Sequence, residues 1–172
     1  MHFYSGFCLR NDAVFFEDWL KQSDYSVAGF SYGAIKALEY VLACETRIDT
    51  LQLFSPAYFC DKPESFKRMQ LKGYRRDSAL YRSRFIESCF EPYPAKPVKS
   101  ADDGETALET LLNYEWPQST LRTLNERGVG IEVYLGGNDA VIDAEAAREY
   151  FKPYATVFYF NHANHFLQGD NL

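Results

Sequence analysis

A serine set between two glycines, Gly29-Phe30-Ser31-Tyr32-Gly33, constrains this chain more than any other feature. The residues before it, Tyr25-Ser26-Val27-Ala28, read as a short buried strand. Those after it, Ala34-Ile35-Lys36-Ala37-Leu38-Glu39-Tyr40, read as a helix. A strand that turns straight into a helix leaves little room at the corner. Glycines two residues either side let the backbone turn tightly and pack closely. The serine is then pushed up out of the sheet at the end of the strand. The pentapeptide alone matches many turns; its strand–turn–helix setting makes it specific.

The rest of the chain supplies the surroundings such a corner needs. His2-Phe3-Tyr4-Ser5 reads as a strand ending at Gly6. Residues 11 to 22 are expected to form a helix, with Asn11 as N-cap and Phe16, Trp19 and Leu20 at i, i+3, i+4. A second helix is expected from Tyr32 to about Cys44, with Ile35, Leu38 and Leu42 on one face. Ile48 to Phe54 reads as a strand stopped by Ser55-Pro56. Gly130 to Leu135 alternates, with Ile131, Val133 and Leu135 on one side, and ends at Gly136-Gly137. Asp143 to Phe151 is expected to be helical, with Pro153 just beyond, and Ala155 to Phe160 to be the last strand. Strands alternating with helices imply a mostly parallel sheet with helices on both faces. The charged, helix-rich stretch from about 57 to 115, broken at Pro92-Tyr93-Pro94-Ala95-Lys96-Pro97, does not fit that rhythm. It reads as a cap inserted between two core strands, roofing the carboxyl ends of the strands where ligands bind in such sheets.

A chain of 172 residues is one ordinary domain, residues 1 to 172, large enough for a real core. No apolar run approaches the roughly 20 residues of a membrane span, and Met1-His2-Phe3-Tyr4-Ser5 leads directly into fold material. Cys8, Cys44, Cys60 and Cys89 show neither C-x-x-C spacing nor a metal-ligand rhythm. We therefore expect reduced thiols, a cytoplasmic location and no metal or organic cofactor.

A serine hydroxyl is a weak nucleophile near neutral pH and needs a base, usually histidine. The three histidines are His2, at the first strand, and His162 and His165, together after the last strand. The strand–turn–helix around Ser31 resembles the nucleophile elbow of the α/β-hydrolases. There the chain order is Ser, then acid, then His. Asp139, in the turn after the Gly130–Leu135 strand, is the expected acid. Asp143, its rival, looks instead like a helix N-cap. His165 is preferred to His162 because Asn164-His165-Phe166 resembles the base-bearing loop of this fold. The oxyanion donors expected from the same pattern are the backbone N–H groups of Tyr32, directly after the nucleophile, and Phe7, in the loop after the first strand. Only about 20 residues separate that loop from the elbow strand. The usual extra strands are therefore absent, and a trimmed sheet of about five mostly parallel strands is expected.

Residues 62 to 84 hold Lys62, Lys67, Arg68, Lys72, Arg75, Arg76, Arg82 and Arg84 against Glu64 and Asp77, a local charge of +6. The whole chain carries −6, so the remainder carries −12. Such asymmetry suits an acidic partner steered electrostatically. With an acidic chain and no nucleic-acid-binding motif, nucleic acid is not the expected partner.

The resemblance narrows further over nearly the whole chain. Phe3-Tyr4-Ser5-Gly6-Phe7, Phe16-Glu17-Asp18-Trp19-Leu20, the segment Gly29 to Ala37, Leu53-Phe54-Ser55-Pro56, Phe66-Lys67-Arg68-Met69-Gln70-Leu71, Gly130-Ile131-Glu132-Val133 and Asn164-His165-Phe166-Leu167-Gln168 resemble a compact family of pimeloyl-acyl-carrier-protein methyl ester esterases. That resemblance implies a biotin-pathway esterase acting on the methyl ester of a seven-carbon diacid tethered by thioester to acyl carrier protein. It implies docking of the acidic carrier on Lys67, Arg68, Lys72, Arg75 and Arg76. It also implies an acyl tunnel beneath the cap, with Tyr32, Tyr58 and Phe59 as candidate walls.

Overall fold

The structure, a computed structural model, describes residues 1–169. In chain order its elements are β1 (His2–Tyr4), β2 (Leu9–Arg10), a 3₁₀ helix (Asp12–Phe16), β3 (Ser26–Phe30), α1 (Tyr32–Ala43), β4 (Thr50–Phe54), α2 (Glu64–Arg76), α3 (Ser78–Phe90), β5 (Lys99–Ser100), α4 (Glu105–Asn113), α5 (Gln118–Glu126), β6 (Gly130–Gly136), α6 (Ala144–Phe151) and β7 (Thr156–Phe160). The main sheet has five strands in the order β1-β3-β4-β6-β7, all pairs parallel. The trimmed parallel α/β sheet expected from the sequence is therefore present. Because the strands are parallel, the segments after Tyr4, Phe30, Phe54, Gly136 and Phe160 all leave from one edge. β2 and β5 form a separate antiparallel pair that joins the loop after β1 to the segment after α3.

Alternation along the strands divides the core in two. Val27, Leu51, Leu53, Ile131, Val133 and Leu135 face α1, α5 and α6. Ala28, Phe30, Phe54 and Tyr134 face the other way. This second face differs from the expectation of helices on both sides. It is covered by the 3₁₀ segment, the end of α3 and the closing loop, through Phe16, Leu20, Cys89, Phe90 and Phe166. Phe16 stacks on Phe54 at 4.6 Å and packs on Phe30 at 4.9 Å, and Phe166 lies 4.5 Å from Phe90. Each fully buried phenylalanine is worth about 1.5–3 kcal/mol, so a few rings do the work of a missing helix.

The expected helix over 11 to 22 is thereby corrected to one turn of 3₁₀ helix. Asn11 precedes it with φ 63° and no side-chain cap. The aromatic residues pull the chain down onto the sheet, and Gln52 pins it there. Buried Gln52 accepts the Lys21 N–H at 2.9 Å and donates to the Trp19 carbonyl at 2.9 Å and to Tyr134 Oη at 3.0 Å. In α1 the buried positions are Ile35, Leu38 and Val41, while Leu42 is exposed. Four residues beyond Leu38 the helix has turned away from the sheet, and 41 rather than 42 completes the face.

Between β4 and β6 lie α2, α3, β5 and α4, with α5 packed back on β6. α2 carries Glu64 in its first turn and Arg75 and Arg76 in its last, each sign matched to the helix dipole. Asp77 caps α3, its side chain accepting the Leu80 N–H at 2.9 Å. Phe7 lies under these helices, its ring 5.6 Å from Phe85 and 6.4 Å from Tyr74.

The two elbow glycines are steric requirements. A β-carbon at Gly33 would lie 2.0 Å from the Tyr4 carbonyl oxygen, and one at Gly29 would lie 2.2 Å from that of Gly33. Both clashes are with backbone, so no rotamer relieves them. Gly33→Ala is expected to destabilise the fold by about 3 kcal/mol or more, at the upper end of overpacking costs. Urea unfolding checks this; an unchanged midpoint would mean that α1 is not held against β1.

Candidate active site

Ser31 sits between β3 and α1 with φ 51° and ψ −114°, a conformation that non-glycine residues seldom adopt. Such strain costs of order 1–3 kcal/mol and persists only where the surroundings enforce it. Here the Ser31 N–H donates to the Phe54 carbonyl at 2.9 Å, and its carbonyl accepts from Ala57 N–H at 3.2 Å and Ala34 N–H at 3.1 Å. The turn is thus fixed from β4 on one side and α1 on the other. Ser31 is buried.

Asp139 and His165 meet at the same edge of the sheet. His165 Nδ1 lies 2.5 Å from Asp139 Oδ2, and both side chains are fully buried. The other carboxylate oxygen, Oδ1, accepts from the Val141 and Ile142 N–H groups at 2.7 and 3.0 Å. The carboxylate is thereby aimed at the imidazole by backbone. Asp143 does not join the pair: it caps α6, accepting the Ala146 N–H at 2.9 Å. His162 is exposed, and its carbonyl accepts from Tyr93 Oη and from Asn138 Nδ2; among the described residues its ring has no hydrogen-bond partner.

The remaining nitrogen of His165, Nε2, is buried and has no hydrogen-bond partner among the described residues. It is therefore not bonded to Ser31 in this structure, although the His165 ring packs at 4.9 Å on Phe30, the residue before Ser31. Catalytic hydrogen bonds are often long before substrate binds. The loop bearing His165 is held by residues that sequence reasoning missed. Ser55 donates to the His165 carbonyl at 2.8 Å. Fully buried Asn164 donates to the Phe90 carbonyl at 2.7 Å and accepts from the Phe166 and Gln168 N–H groups at 3.0 and 2.9 Å. These are single polar residues whose partners lie far away or in an irregular loop, so no periodic signal marks them.

The two backbone N–H groups expected as oxyanion donors belong to Tyr32 and Phe7. Tyr32 is the first residue of α1, where an N–H has no partner within the helix. Phe7 follows β1, and among the described residues its N–H has no acceptor although the residue is fully buried. Asp12, also missed in the sequence, accepts the neighbouring Gly6 N–H at 2.9 Å. Burial raises its carboxyl above the ordinary carboxylate range.

A cavity of about 210 Å³ lies beneath the cap, walled by Phe59, Phe66, Phe85, Leu108, Leu112 and Val141. It reaches Ala140 and Val141, next to Asp139, and its walls do not include Ser31 or His165. Of the aromatics expected to line a tunnel, Phe59 does so. Tyr58 packs instead on Tyr150 and Phe151, and Tyr32 lies under Lys36.

On the outer face of the cap, Arg68, Lys72, Arg76 and Arg84 are exposed and make no ion pair among the described residues. Arg75 pairs with Glu105 at 2.6 Å and Lys67 with Glu64 at 3.4 Å. Met69 lies exposed beside the α2 cations.

No family model matches the chain, and no curated protein matches it in sequence. Solved structures do match in fold. An esterase from Exiguobacterium antarcticum superposes with a TM-score of 0.60 at 17% identity over 81% of this chain and 59% of the esterase. BioG from Haemophilus influenzae gives 0.57 at 13% identity, over 96% of this chain and 87% of BioG. MenH from S. aureus gives 0.54 at 13% identity, over 98% and 85%. The chain thus has the α/β-hydrolase fold and spans about three fifths of the Exiguobacterium esterase. Among the described residues no helix is long and apolar enough to cross a membrane.

If Asp139 alone orients the imidazole, the Nδ1 proton of His165 should give a downfield NMR resonance in the wild type. Asp143→Ala is expected to keep that resonance while losing about 1 kcal/mol of stability through its cap. Asp139→Ala is expected to abolish it. The reverse pattern would reassign the acid.

Proposed function

We propose that this protein is a cytoplasmic serine carboxylesterase that hydrolyses the methyl ester of pimeloyl-acyl carrier protein, releasing methanol, in biotin precursor synthesis. The observation that carries the reading is the buried Asp139–His165 pair, whose free Nε2 is aimed away from the carboxylate at the edge where strained Ser31 lies. Burying a carboxylate and an imidazole together is costly unless each is well paired, and chemistry gives the arrangement a reason.

The reaction follows from those groups. Neutral His165 takes the Ser31 Oγ proton on Nε2 as Oγ attacks the ester carbonyl. The oxyanion is held by the Phe7 and Tyr32 N–H groups. On collapse the C–O bond to the methoxy group breaks, and His165 returns the proton to it, giving methanol. Water then attacks the acyl-serine with His165 again as base, freeing the carboxylate and restoring Ser31. Asp139 stays ionised, fixes the tautomer and stabilises the imidazolium.

The acidic carrier docks on the cap. Arg68, Lys72 and Arg76 are spaced by four residues on α2 and form one stripe, with Met69 beside it. Arg75 and Lys67 are already paired, so they are the weaker members of the expected set. The apolar cavity supports an acyl chain lodged beneath the cap and reaching as far as Ala140 and Val141 beside Asp139; the proposal then requires the distal ester, not the thioester, to extend from there to Ser31. The likeness to the Exiguobacterium esterase favours a second reading, a general short-chain esterase.

Ser31→Ala and His165→Ala are each expected to lower turnover of carrier-bound pimeloyl methyl ester by about 10³-fold or more. Near wild-type activity in either would sink the mechanism. Charge reversal at Arg68, Lys72 and Arg76 together is expected to raise KM for the carrier substrate at least tenfold, as added salt should, and to leave a free methyl ester unaffected. Equal loss on both substrates, or free ester cleaved as efficiently as carrier-bound ester, would favour the second reading.

A further inference from the structure

The loop after β1 is gripped by two carboxylates, one just beyond it at Asp12 and one far away in sequence at Asp103. Fully buried Asp12 accepts the Gly6 N–H at 2.9 Å. Asp103, whose side chain is 12% exposed, accepts the Cys8 N–H at 2.6 Å and pairs with Arg10 at 2.5 Å. The Leu9 N–H donates to the Gly6 carbonyl at 3.1 Å. From Gly6 to Leu9, Phe7 alone has an N–H without an acceptor among the described residues. Buried backbone N–H groups rarely go without a partner. A donor kept free while both its neighbours are tied is a donor being aimed.

Cys8 shows where the tension lies. Its φ is 58°, the left-handed region that glycine favours and that a cysteine holds only when surroundings enforce it. The ionised Asp103 acceptor enforces it, because a charge-assisted bond is stronger than a neutral one. Without that bond Cys8 has reason to relax, and the preceding peptide, which carries the Phe7 N–H, turns with it.

Asp103 is itself held by the cap. The adjoining Asp102 accepts from Tyr74 Oη of α2 and from Arg82 of α3, and from the Gly104 N–H at 2.9 Å. The Ala101 N–H donates to the Cys8 carbonyl at 3.1 Å, and β5 pairs with β2 on the same loop. Residues 99–104 thus lie as a strut between the cap helices and the loop.

We infer that Asp103 is a positioning residue for the oxyanion donor at Phe7, and that through Asp102 the strut ties that donor to the seating of the cap. The inference rests on the esterase reading and goes beyond it: the helix that bears the docking stripe also sets the geometry of the hydrolytic site.

The test uses p-nitrophenyl acetate, which needs no carrier, and a fluorophosphonate probe for Ser31. Asp103→Ala and Asp103→Glu, the latter keeping the charge but displacing the anchor, should each lower kcat about 10- to 100-fold with KM within about twofold. Asp103→Asn, whose amide oxygen still accepts from Cys8 but without the charge that strengthens the bond, should fall between wild type and Asp103→Ala. Tyr74→Phe should lower kcat a few-fold on this small ester. Circular dichroism and thermal melts establish folding, and should Asp103→Ala not fold, Asp103→Glu carries the comparison. A labelled, active wild type whose folded Asp103→Glu variant keeps wild-type kcat overturns the positioning role and leaves the esterase standing. A wild type that neither labels nor cleaves the ester overturns both. Wild-type kcat in Tyr74→Phe removes the link to the cap.

Discussion

The start of α1 is pressed against the end of β1 so closely that no β-carbon fits between them. Much of the site depends on that contact. It forces the chain round in one residue, which puts Ser31 at positive φ and its side chain on the outer edge of the sheet. It also brings the first free N–H of α1, at Tyr32, to where the loop after β1 departs. The β-carbon missing from Gly33 would touch the carbonyls of Tyr4 and Ser5, two and one residues before Gly6. One close approach therefore sets the Ser31 turn and brings the start of α1 against the loop after β1, as the proposed nucleophile and oxyanion donors require.

A second backbone contact does the same for Asp139 and His165. A β-carbon on Gly136 would lie 2.4 Å from the Ala163 and Asn164 carbonyls, and one on Gly137 would lie 2.5 Å from that of Asn161. The Gly137 N–H donates to Phe160 and the Asn138 N–H to Ala163, both at 2.8 Å. The turn carrying Asp139 and the loop carrying His165 are thus one packed unit before their side chains meet. The Asp139–His165 bond is short because the backbone leaves it no slack, not because either side chain reaches for the other.

These contacts explain what could be read from the sequence. The glycines at 29, 33, 136 and 137 sit beside strand patterns, and a two-residue period survives burial, so the strand–turn–helix around Ser31, the parallel sheet and the meeting of Asp139 with His165 were legible. The segment after the first strand was not. Phe16, Trp19 and Leu20 have helical spacing, yet here they close over a sheet face that larger relatives of this fold would cover with more structure. Burial then favours a flattened 3₁₀ turn over a regular helix. Gln52, Asp12, Asn164 and Asp103 were invisible for another reason. Gln52, Asn164 and Asp103 tie segments far apart in sequence, Asp12 folds back on a loop only six residues away, and a lone polar residue inside a strand or loop looks the same whether it faces water or a backbone group.

Charge shows the same difference between counting and placement. The basic tract read as eight cations, but Lys62, Lys67, Arg75 and Arg82 have carboxylate partners within the fold. Exposed pairs of this kind add little stability, about 0–1 kcal/mol each, and they cancel the local field of their cations. With a screening length of about 8–10 Å in physiological salt, a docking partner feels the nearest charges rather than the total. The exposed cations of the tract without an ion pair among the described residues are the row Arg68, Lys72, Arg76, with Arg84 beyond it on α3, and these are the charges that the proposed acidic partner would feel. Two of the paired cations have a further effect, since Arg82 and Arg75 bind the segment 102–105 that also anchors Cys8. The cap's positive charge is thereby divided between an outward row that can meet an acidic partner and an inward set that fastens the cap to the loop beneath it.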